Sequence, residues 1–376
     1  VRAPFAFLFT ENLLRVKGLR SVYAAMALHP PAFVAHSPRF CCGITSVRKG
    51  ERVRISVTEA VQRLQSGGIV AIPTETVYGL AANALRPQSV ARIFEAKQRP
   101  FFDPLIVHLP DASALPALVR DIPVAAERLM QRFWPGPLTL VLHKQNIVPD
   151  LVTAGLPTVA VRVPNHPMAL EILSQCGCPL AAPSANLFGR ISPTCADDVL
   201  AQLGKRIDGV VDGGPSGVGV ESTIVDLTGT QPTLLRPGGI AKEDIEALIG
   251  PLAQPSDTDT AAHAPLRAPG TSPRHYAPLT PFADRHTLPP MPNRRVGLIA
   301  FGSNTKTPRT GFAEIYNLSD MGNLREAATR LYPALHHMDK AGLDAWTYEP
   351  IPQTGLGLAI NDRLQRAATR NDDDRS

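Results

Sequence analysis

Between Ser56 and Gly250, short apolar runs rich in β-branched residues alternate with stretches of helical periodicity, and this alternation limits the fold more than any other feature of the chain. The runs are Ile69–Ile72, Leu105–Leu109, Leu138–Leu142, Val159–Val163, Gly209–Val211 and Thr223–Leu227. The helical stretches cover about Val57–Gln65, Ser89–Gln98, Val124–Arg132, Met168–Gln175 and Ala196–Leu203. Such alternation predicts an α/β domain around a largely buried sheet. Its beginning is marked by Ser56-Val-Thr-Glu59, a capping box in which the Ser oxygen and the Glu carboxylate satisfy backbone N–H groups. Gly67 and Gly68 then end the first helix, where a left-handed residue needs no Cβ.

The flanks read differently. Residues 251–292 hold ten prolines among Ser, Thr, Asp and Ala, a semi-extended linker because proline fixes φ. Beyond it, a strand at Arg295–Phe301 and helices at Asn323–His337 and Gly357–Ala368 predict a small α/β domain over 293–376. Proline, 37 of 376 residues, is roughly twice its usual ~5% share and excludes a mostly helical bundle. Residues 1–50 carry seven basic groups against the single acid Glu11, and the segment is expected to be a disordered, dispensable extension. A transit peptide has this composition; so does an upstream extension from a mis-chosen start, the reading favoured by the initial valine. The catalytic body is therefore expected at 51–250. No apolar run approaches the ~18 residues of a membrane span.

The formal charge of +5 invites a nucleic-acid reading, but residues 51–376 hold 31 basic and 32 acidic groups, a net of −1. Global basicity is therefore no argument for DNA or RNA. The five cysteines include no CxxC pair and no zinc pattern, so a reduced, cytoplasmic protein is expected; Cys176-Gly-Cys178 leaves a minor redox reading. GxxxxGK[ST], HExxH and GxSxG are missing, and Gly217-Val-Gly219 leads into a strand-like run rather than a helix, so it fails the dinucleotide context.

What remains is a series of polar clusters beside the apolar runs. Thr74-Glu-Thr76 follows the first; Lys97-Gln-Arg99 leads into Asp103-Pro-Leu-Ile-Val-His108; Arg162 lies inside Thr158–Pro164. Pro183-Ser-Ala-Asn186 with Ser192, Ser222-Thr223 and Leu235-Arg236-Pro-Gly238 complete the set. Ligands of open α/β sheets collect at strand ends, so these clusters can converge on one crevice. Each member has a plainer reading: Lys97 and Arg99 complement a helix dipole, His108 is a core histidine, and Ser, Thr and Asn form turns. Arg162 resists it, because a buried guanidinium needs an anion. Together Lys97, Arg99, Arg162 and Arg236 suit a polyanion plus a carboxylate, with chemistry resting on positioning and charge neutralisation.

These segments resemble a known family. Gly68-Ile-Val-Ala-Ile-Pro-Thr-Glu-Thr-Val-Tyr-Gly-Leu80, Lys97-Gln-Arg-Pro100, Asp103–His108, Phe133-Trp-Pro-Gly-Pro-Leu-Thr139, Pro183–Asn186, Glu221-Ser-Thr-Ile-Val-Asp226 and Leu235–Gly238 are similar, in order, to the motifs of the YrdC-type threonylcarbamoyl-AMP synthases. Ala268-Pro-Gly270, His275-Tyr-Ala-Pro278 and Gly355-Leu-Gly-Leu-Ala-Ile-Asn-Asp362 resemble the linker and C-terminal domain of the longer form. The resemblance implies a twisted sheet with a central cavity, plus a smaller Rossmann-like α/β domain. It also implies a nucleotidyl transfer in which L-threonine, bicarbonate and ATP give L-threonylcarbamoyl-AMP, pyrophosphate and water, for modification of tRNA beside the anticodon.

By that resemblance Thr76, His108, Arg162, Ala182 and Ser222 contact threonine. Arg99, Asp103, Thr158, Ser184, Asn186, Ser192, Arg236 and Tyr276 contact ATP, and Lys97 and Arg99 act in catalysis. Mg2+ is expected with the nucleotide, its ligands left open. The implied partners are the downstream tRNA threonylcarbamoyl transferase machinery and transient tRNA, with no DNA and no membrane. Two departures stand out: Asp103 replaces an Asn of many relatives, and Thr271-Ser-Pro273 replaces a further tyrosine. The linker around Tyr276 is expected to act as a lid. Competing readings are a tRNA- or rRNA-binding module and a carbamoyl-adenylate enzyme serving another acceptor; the latter lacks the expected cysteine-rich zinc segments.

Overall fold

Ser56 Oγ accepts the Glu59 N–H at 3.2 Å and the Glu59 carboxylate accepts the Ser56 N–H at 2.9 Å, so helix α1 (Val57–Gln65) starts on the reciprocal cap that the sequence encodes. The computed structural model describes residues 54–254, 268–270, 275–283, 289–291, 293–303 and 308–368; residues 1–50 and Thr271–Pro273 lie outside the described residues. After α1 come β1 (Val70–Ile72), β2 (Gly79–Asn83), α2 (Pro87–Lys97), β3 (Ile106–His108), α3 (Val124–Phe133), β4 (Leu138–His143) and α4 (Asp150–Thr153). Then follow β5 (Thr158–Arg162), α5 (Pro167–Cys176), β6 (Leu180–Ala181), α6 (Ala196–Leu203), β7 (Thr223–Asp226), β8 (Thr233–Arg236) and α7 (Lys242–Ile249). Helices α2 and α5 each open on proline, whose fixed φ and missing N–H suit the first turn.

The eight strands form one mixed sheet in the order β1-β2-β6-β3-β5-β4-β7-β8. Pairs β3–β5 and β4–β7 are parallel, the others antiparallel. Two-residue periodicity sorts the central strands. Val107, Leu140, Val161 and Val225 point into the main core beneath α2, α3 and α6. Their neighbours Ile106, Val141, Ala160 and Ile224 face the other side, where Leu235 of β8 and, from the proline-rich segment, Ala268 pack with them. On that second face lie His108 and Arg162, two residues after Ile106 and Ala160, and Thr139 and Ser222, two residues before Val141 and Ile224. The site is therefore built on the face that the linker covers.

Two expected features differ. Gly209–Val211 forms no strand; Val210 only bridges Arg54 and Ala71. Conversely, Gly79–Asn83, of small residues with low strand propensity, becomes β2 because β1 and β6 pair with it on both sides.

The C-terminal part holds β9 (Val296–Ala300), β10 (Glu314–Asn317), α8 (Leu324–Lys340), β11 (Ala345–Tyr348) and α9 (Leu356–Ala368). Its three-stranded sheet, β10-β9-β11, is parallel throughout, with α8 making the crossover. Its core does not stop at its own boundary: Leu331, Tyr332, Trp346 and Ile360 pack in one cluster with Tyr276 and Phe282 of the linker and with Val77, Ile191 and Val220 of the first domain. The described residues accordingly belong to one compact unit.

Candidate active site

Parallel pairing sets His108 of β3 directly opposite Arg162 of β5, both at the C-terminal ends of their strands. A cavity opens there. Thr76, His108, Arg162, Ala182 and Ser222 line it, together with Arg99, Ser184, Arg236 and Tyr276. The geometry thus brings together all five residues expected to touch threonine and four of those expected to touch the nucleotide. Lys97, Asp103, Thr158, Asn186 and Ser192 are not on its wall. Thr158 opens β5, four residues before Arg162, roughly 13 Å away along a strand.

Each guanidinium on the wall is buried and held. Arg162 donates to Gly136 O at 3.2 Å, Thr76 Oγ1 at 3.0 Å and Glu75 Oε1 at 2.6 Å. Arg99 donates to the carbonyls of Asp103 at 3.2 Å and Pro104 at 2.7 Å. Arg236 donates to Ser222 O at 2.9 Å, to Ser222 Oγ at 3.2 Å and to Pro269 O at 2.9 Å. Lys97, just behind, places Nζ 2.6 Å from both Ser184 O and Asn186 O, fixing the turn that carries Ser184.

Lys97 and Arg99, readable in the sequence as exposed charges at a helix end, are 1% and 6% exposed. The reason is local: α2 ends at Lys97 and Gln98 turns left-handed with φ 54°, which leaves Lys97 on the Ser184 and Asn186 carbonyls and Arg99 on those of Asp103 and Pro104. Burial pushes the Lys97 amine well below the usual lysine range; the charge of Arg99 adds to this and Asp103 opposes it. Asp103 Oδ1 lies 2.8 Å from Arg99 Nη2 without hydrogen-bond alignment. Burial lifts its carboxyl above the usual range, and Arg99, Lys97 and Arg236 hold it down. Asp103 thus sits behind Arg99 as a counter-ion, where the sequence comparison placed it against phosphate.

His108 is pushed down to about 3, by burial first and by Arg162 second, so its imidazole is neutral near pH 7. Ser222 Oγ is 2.7 Å from Thr139 Oγ1 and bound to Arg236, not to a base. The wall offers cations, hydroxyls and a neutral imidazole, an arrangement for holding anions rather than for covalent catalysis.

The linker fills the opening. Pro269, Gly270, His275 and Tyr276 complete the lining and leave about 40 Å3 free, against roughly 300–1,000 Å3 in an ordinary small-molecule cleft. Gly270 has φ +74°, and a Cβ there would lie 2.9 Å from Arg236 Nη1 and 3.0 Å from Tyr276 Oη, so only glycine passes. Any ligand larger than a few atoms requires this segment to move.

Glu221 is the functional residue that the sequence reading treated only as part of a motif. It lines the cavity, yet its carboxylate takes hydrogen bonds from Ser192 Oγ at 2.7 Å, from Tyr332 Oη at 2.8 Å to each oxygen, and from Arg363 Nε at 2.9 Å. Burial pushes its pKa up, but Arg363, Arg236 and the hydroxyl bond win and hold it at about 2. No local signal points to partners 111 and 142 residues away.

Comparison with known proteins agrees with this geometry. Residues 62–238 match a family model described as "Telomere recombination", and residues 240–369 match "Threonylcarbamoyl-AMP synthase, C-terminal domain". The threonylcarbamoyl-AMP synthase of Bacillus subtilis is 44% identical over 83% of this chain and 92% of its own length. That of Pyrococcus abyssi is 43% identical over 81% and 92%. The crystal structure of P. abyssi Sua5 complexed with L-threonine superposes with a TM-score of 0.76 at 41% identity, covering 83% of this chain and 94% of that one. The chain belongs to the threonylcarbamoyl-AMP synthase family, in the form that carries the C-terminal domain.

Proposed function

We propose that this protein makes L-threonylcarbamoyl-AMP from L-threonine, bicarbonate and ATP, releasing pyrophosphate and water, and that the cavity on the linker-covered face is where it does so. The observation that carries this reading is the convergence of three buried guanidiniums, Arg99, Arg162 and Arg236, on one small cavity with no activated nucleophile beside them. Two anions must be brought together there against their repulsion. Threonine's carboxylate takes the fork of Arg162, displacing Glu75, while Thr76, Ser222 and the Ala182 wall frame its side chain. Neutral His108 supplies a hydrogen bond without adding charge. Threonine's amine condenses with bicarbonate, water leaving with the amine proton and the bicarbonate hydroxyl; the resulting N-carboxylate oxygen attacks the α-phosphate, and the bond to the β-phosphate breaks to release pyrophosphate. Arg99 and Arg236 neutralise the triphosphate, with Ser184 beside them and Lys97 fixing the Ser184–Asn186 turn. Asp103, Asn186 and Ser192 act through their neighbours rather than by direct contact.

Among the described residues no group of three or more His, Cys, Asp or Glu side chains could hold a metal ion. The two carboxylates nearest the phosphate side, Asp103 and Glu221, are committed to Arg99 and to Arg363 with Tyr332. This donor set does not fit a resident Mg2+, and none of the steps above uses one; magnesium would arrive on the nucleotide. The linker, returning over the cavity, would exclude water from a labile product. We place the reaction in the cytoplasm, ahead of the transferase that moves the threonylcarbamoyl group to tRNA. No helix among the described residues is long and apolar enough to cross a membrane. Burial raises the Cys176 and Cys195 thiols to about 12, against any role as a redox thiolate.

Pyrophosphate release measured with the three substrates together and with each left out in turn tests the assignment. Full release only with all three is expected; equal release without threonine or without bicarbonate overturns it.

A further inference from the structure

The C-terminal domain reaches into the cavity wall. Tyr332 on α8 and Arg363 on α9 are both fully buried and both terminate on Glu221. The same two side chains grip the linker: the Arg363 guanidinium lies 5.3 Å from the centre of the Tyr276 ring, and the Tyr332 and Tyr276 rings are 5.7 Å apart. Tyr276 in turn packs edge-on against His275 at 4.1 Å and holds a left-handed backbone, φ 64°, that a tyrosine adopts only when its surroundings impose it. Arg363 Nη1 is anchored on Asp362 at 2.6 Å, which sets the plane of the fork.

Two features make this more than ordinary domain packing. First, Glu221 is a cavity-lining carboxylate on the side of three cations that must receive a polyanion. A free acid there would repel phosphate, and Tyr332, Arg363 and Ser192 occupy both its oxygens. Second, the segment that Arg363 and Tyr332 hold is the one that closes on Arg236 through the Pro269 carbonyl.

Resting on the assignment above, we infer that Tyr332 and Arg363 are positioning residues for the reaction: Arg363 neutralises Glu221, Tyr332 hydrogen-bonds both its oxygens, and the two clamp Tyr276, so that the C-terminal domain sets how the linker closes over bound nucleotide. Among the described residues the hydrogen bonds of Tyr332 and Arg363 go to Glu221 and Asp362, not to Arg162, Thr76 or His108. Loss of the clamp therefore falls on the nucleotide rather than on threonine.

The test uses the full-length chain. Tyr332→Phe keeps the ring and removes one hydroxyl; Arg363→Lys keeps the charge and loses the fork; Tyr276→Leu removes the ring they hold. Expected for Tyr332→Phe is a rise of fivefold or more in the ATP KM with the threonine KM changed less than twofold. Combined with Tyr276→Leu, it should lower kcat/KM for ATP by no more than about twofold beyond the worse single change, because both act on one closure. Arg363→Lys should fall between wild type and Arg363→Met; if the Met variant is insoluble, Tyr332→Phe decides alone. The ATP Kd by titration calorimetry reads the clamp without turnover. Wild-type protein that fails to release pyrophosphate sinks the assigned function, whereas the Kd series still judges the clamp. Unchanged ATP KM and Kd, equal effects on both substrates, or fully multiplicative double effects overturn the inference and leave Tyr332 and Arg363 a structural role only.

Discussion

Gly219 runs directly under Ala328 of α8: a Cβ on Gly219 would overlap the Ala328 carbonyl oxygen and the Thr329 Cα, and Thr329 Oγ1 donates to Gly217 O at 3.0 Å. The glycine pair that fails as a dinucleotide motif is thus the seat on which the C-terminal domain rests, two residues before Glu221. Gly219→Ala, strained at φ +79° and crowded by backbone, should cost about 1–3 kcal/mol of stability and lower turnover with it. Urea unfolding paired with pyrophosphate release checks this; a stable, fully active variant would show that α8 can move away freely.

Lys97→Met should cost both turnover and stability. Exposed charges at a helix end would leave the melting temperature nearly unchanged when removed, but Lys97 and Arg99 are buried. Removing the amine strands the buried Ser184 and Asn186 carbonyls, a loss of the order of 1–3 kcal/mol. Thermal unfolding gives the answer directly.

Arg162→Lys keeps one positive charge and abandons the fork that joins Gly136, Thr76 and Glu75. The threonine KM should rise tenfold or more, equivalent to about 1.4 kcal/mol, with the ATP KM within twofold. Equal rises for both substrates would assign Arg162 to the scaffold.

How much of this was legible beforehand depends on range. The capping box at Ser56 and the apolar runs encode their elements locally, and α1 has the bounds that its sequence implies. The five residues matched to threonine contacts lie together because period-two alternation and strand ends are local properties too. Burial of Lys97 and the service of Asp103 to Arg99 depend on the left-handed turn at Gln98 after α2 and on partners it brings within reach. Glu221 is further removed still: its meaning comes from Tyr332 and Arg363, and nothing within twenty residues of it announces either. β2 shows the same limit for structure, a run of small residues made into a strand by its neighbours.

Acid should unfold this protein through its buried histidines. His108 and His275 are each pushed down to about 3, chiefly by burial, from an ordinary value near 6.5. Between those values the unfolded chain binds protons that the folded chain refuses, so stability rises with pH through that window and falls as pH drops below ~6.5. Each histidine contributes a slope of up to about 1.4 kcal/mol per pH unit. Glu221, held at about 2 from 4.5, stabilises above 4.5 and loses that contribution only below it. Urea midpoints from pH 7.5 to 4.5 should therefore decline steadily, and His275→Asn should flatten the decline by close to one proton. An unchanged slope would mean that His275 is charged in the folded state.

A chain cut after Gln254 separates the two contributions of the C-terminal domain. The buried residues of the main core beneath α2, α3 and α6 and of the second core beneath α1 and α5 all precede that point, only Leu358 packing on the first from beyond it, and Ala253 still pairs with Thr233, so the piece should fold. It would nevertheless expose Val77, Ile191 and Val220, and it would leave Glu221 in the cavity wall without Arg363 or Tyr332. A carboxylate stripped of its partners beside the phosphate site either repels the nucleotide or takes up a proton. The piece should therefore melt lower than the whole chain and release pyrophosphate poorly. Glu221→Gln within the cut chain should recover part of the ATP affinity by removing the stranded charge, whereas the same change in the full chain should lose affinity by breaking the clamp. Opposite signs in the two backgrounds, measured as ATP Kd, are what the contacts at Glu221 require; the same sign in both would mean that the carboxylate acts independently of the C-terminal domain.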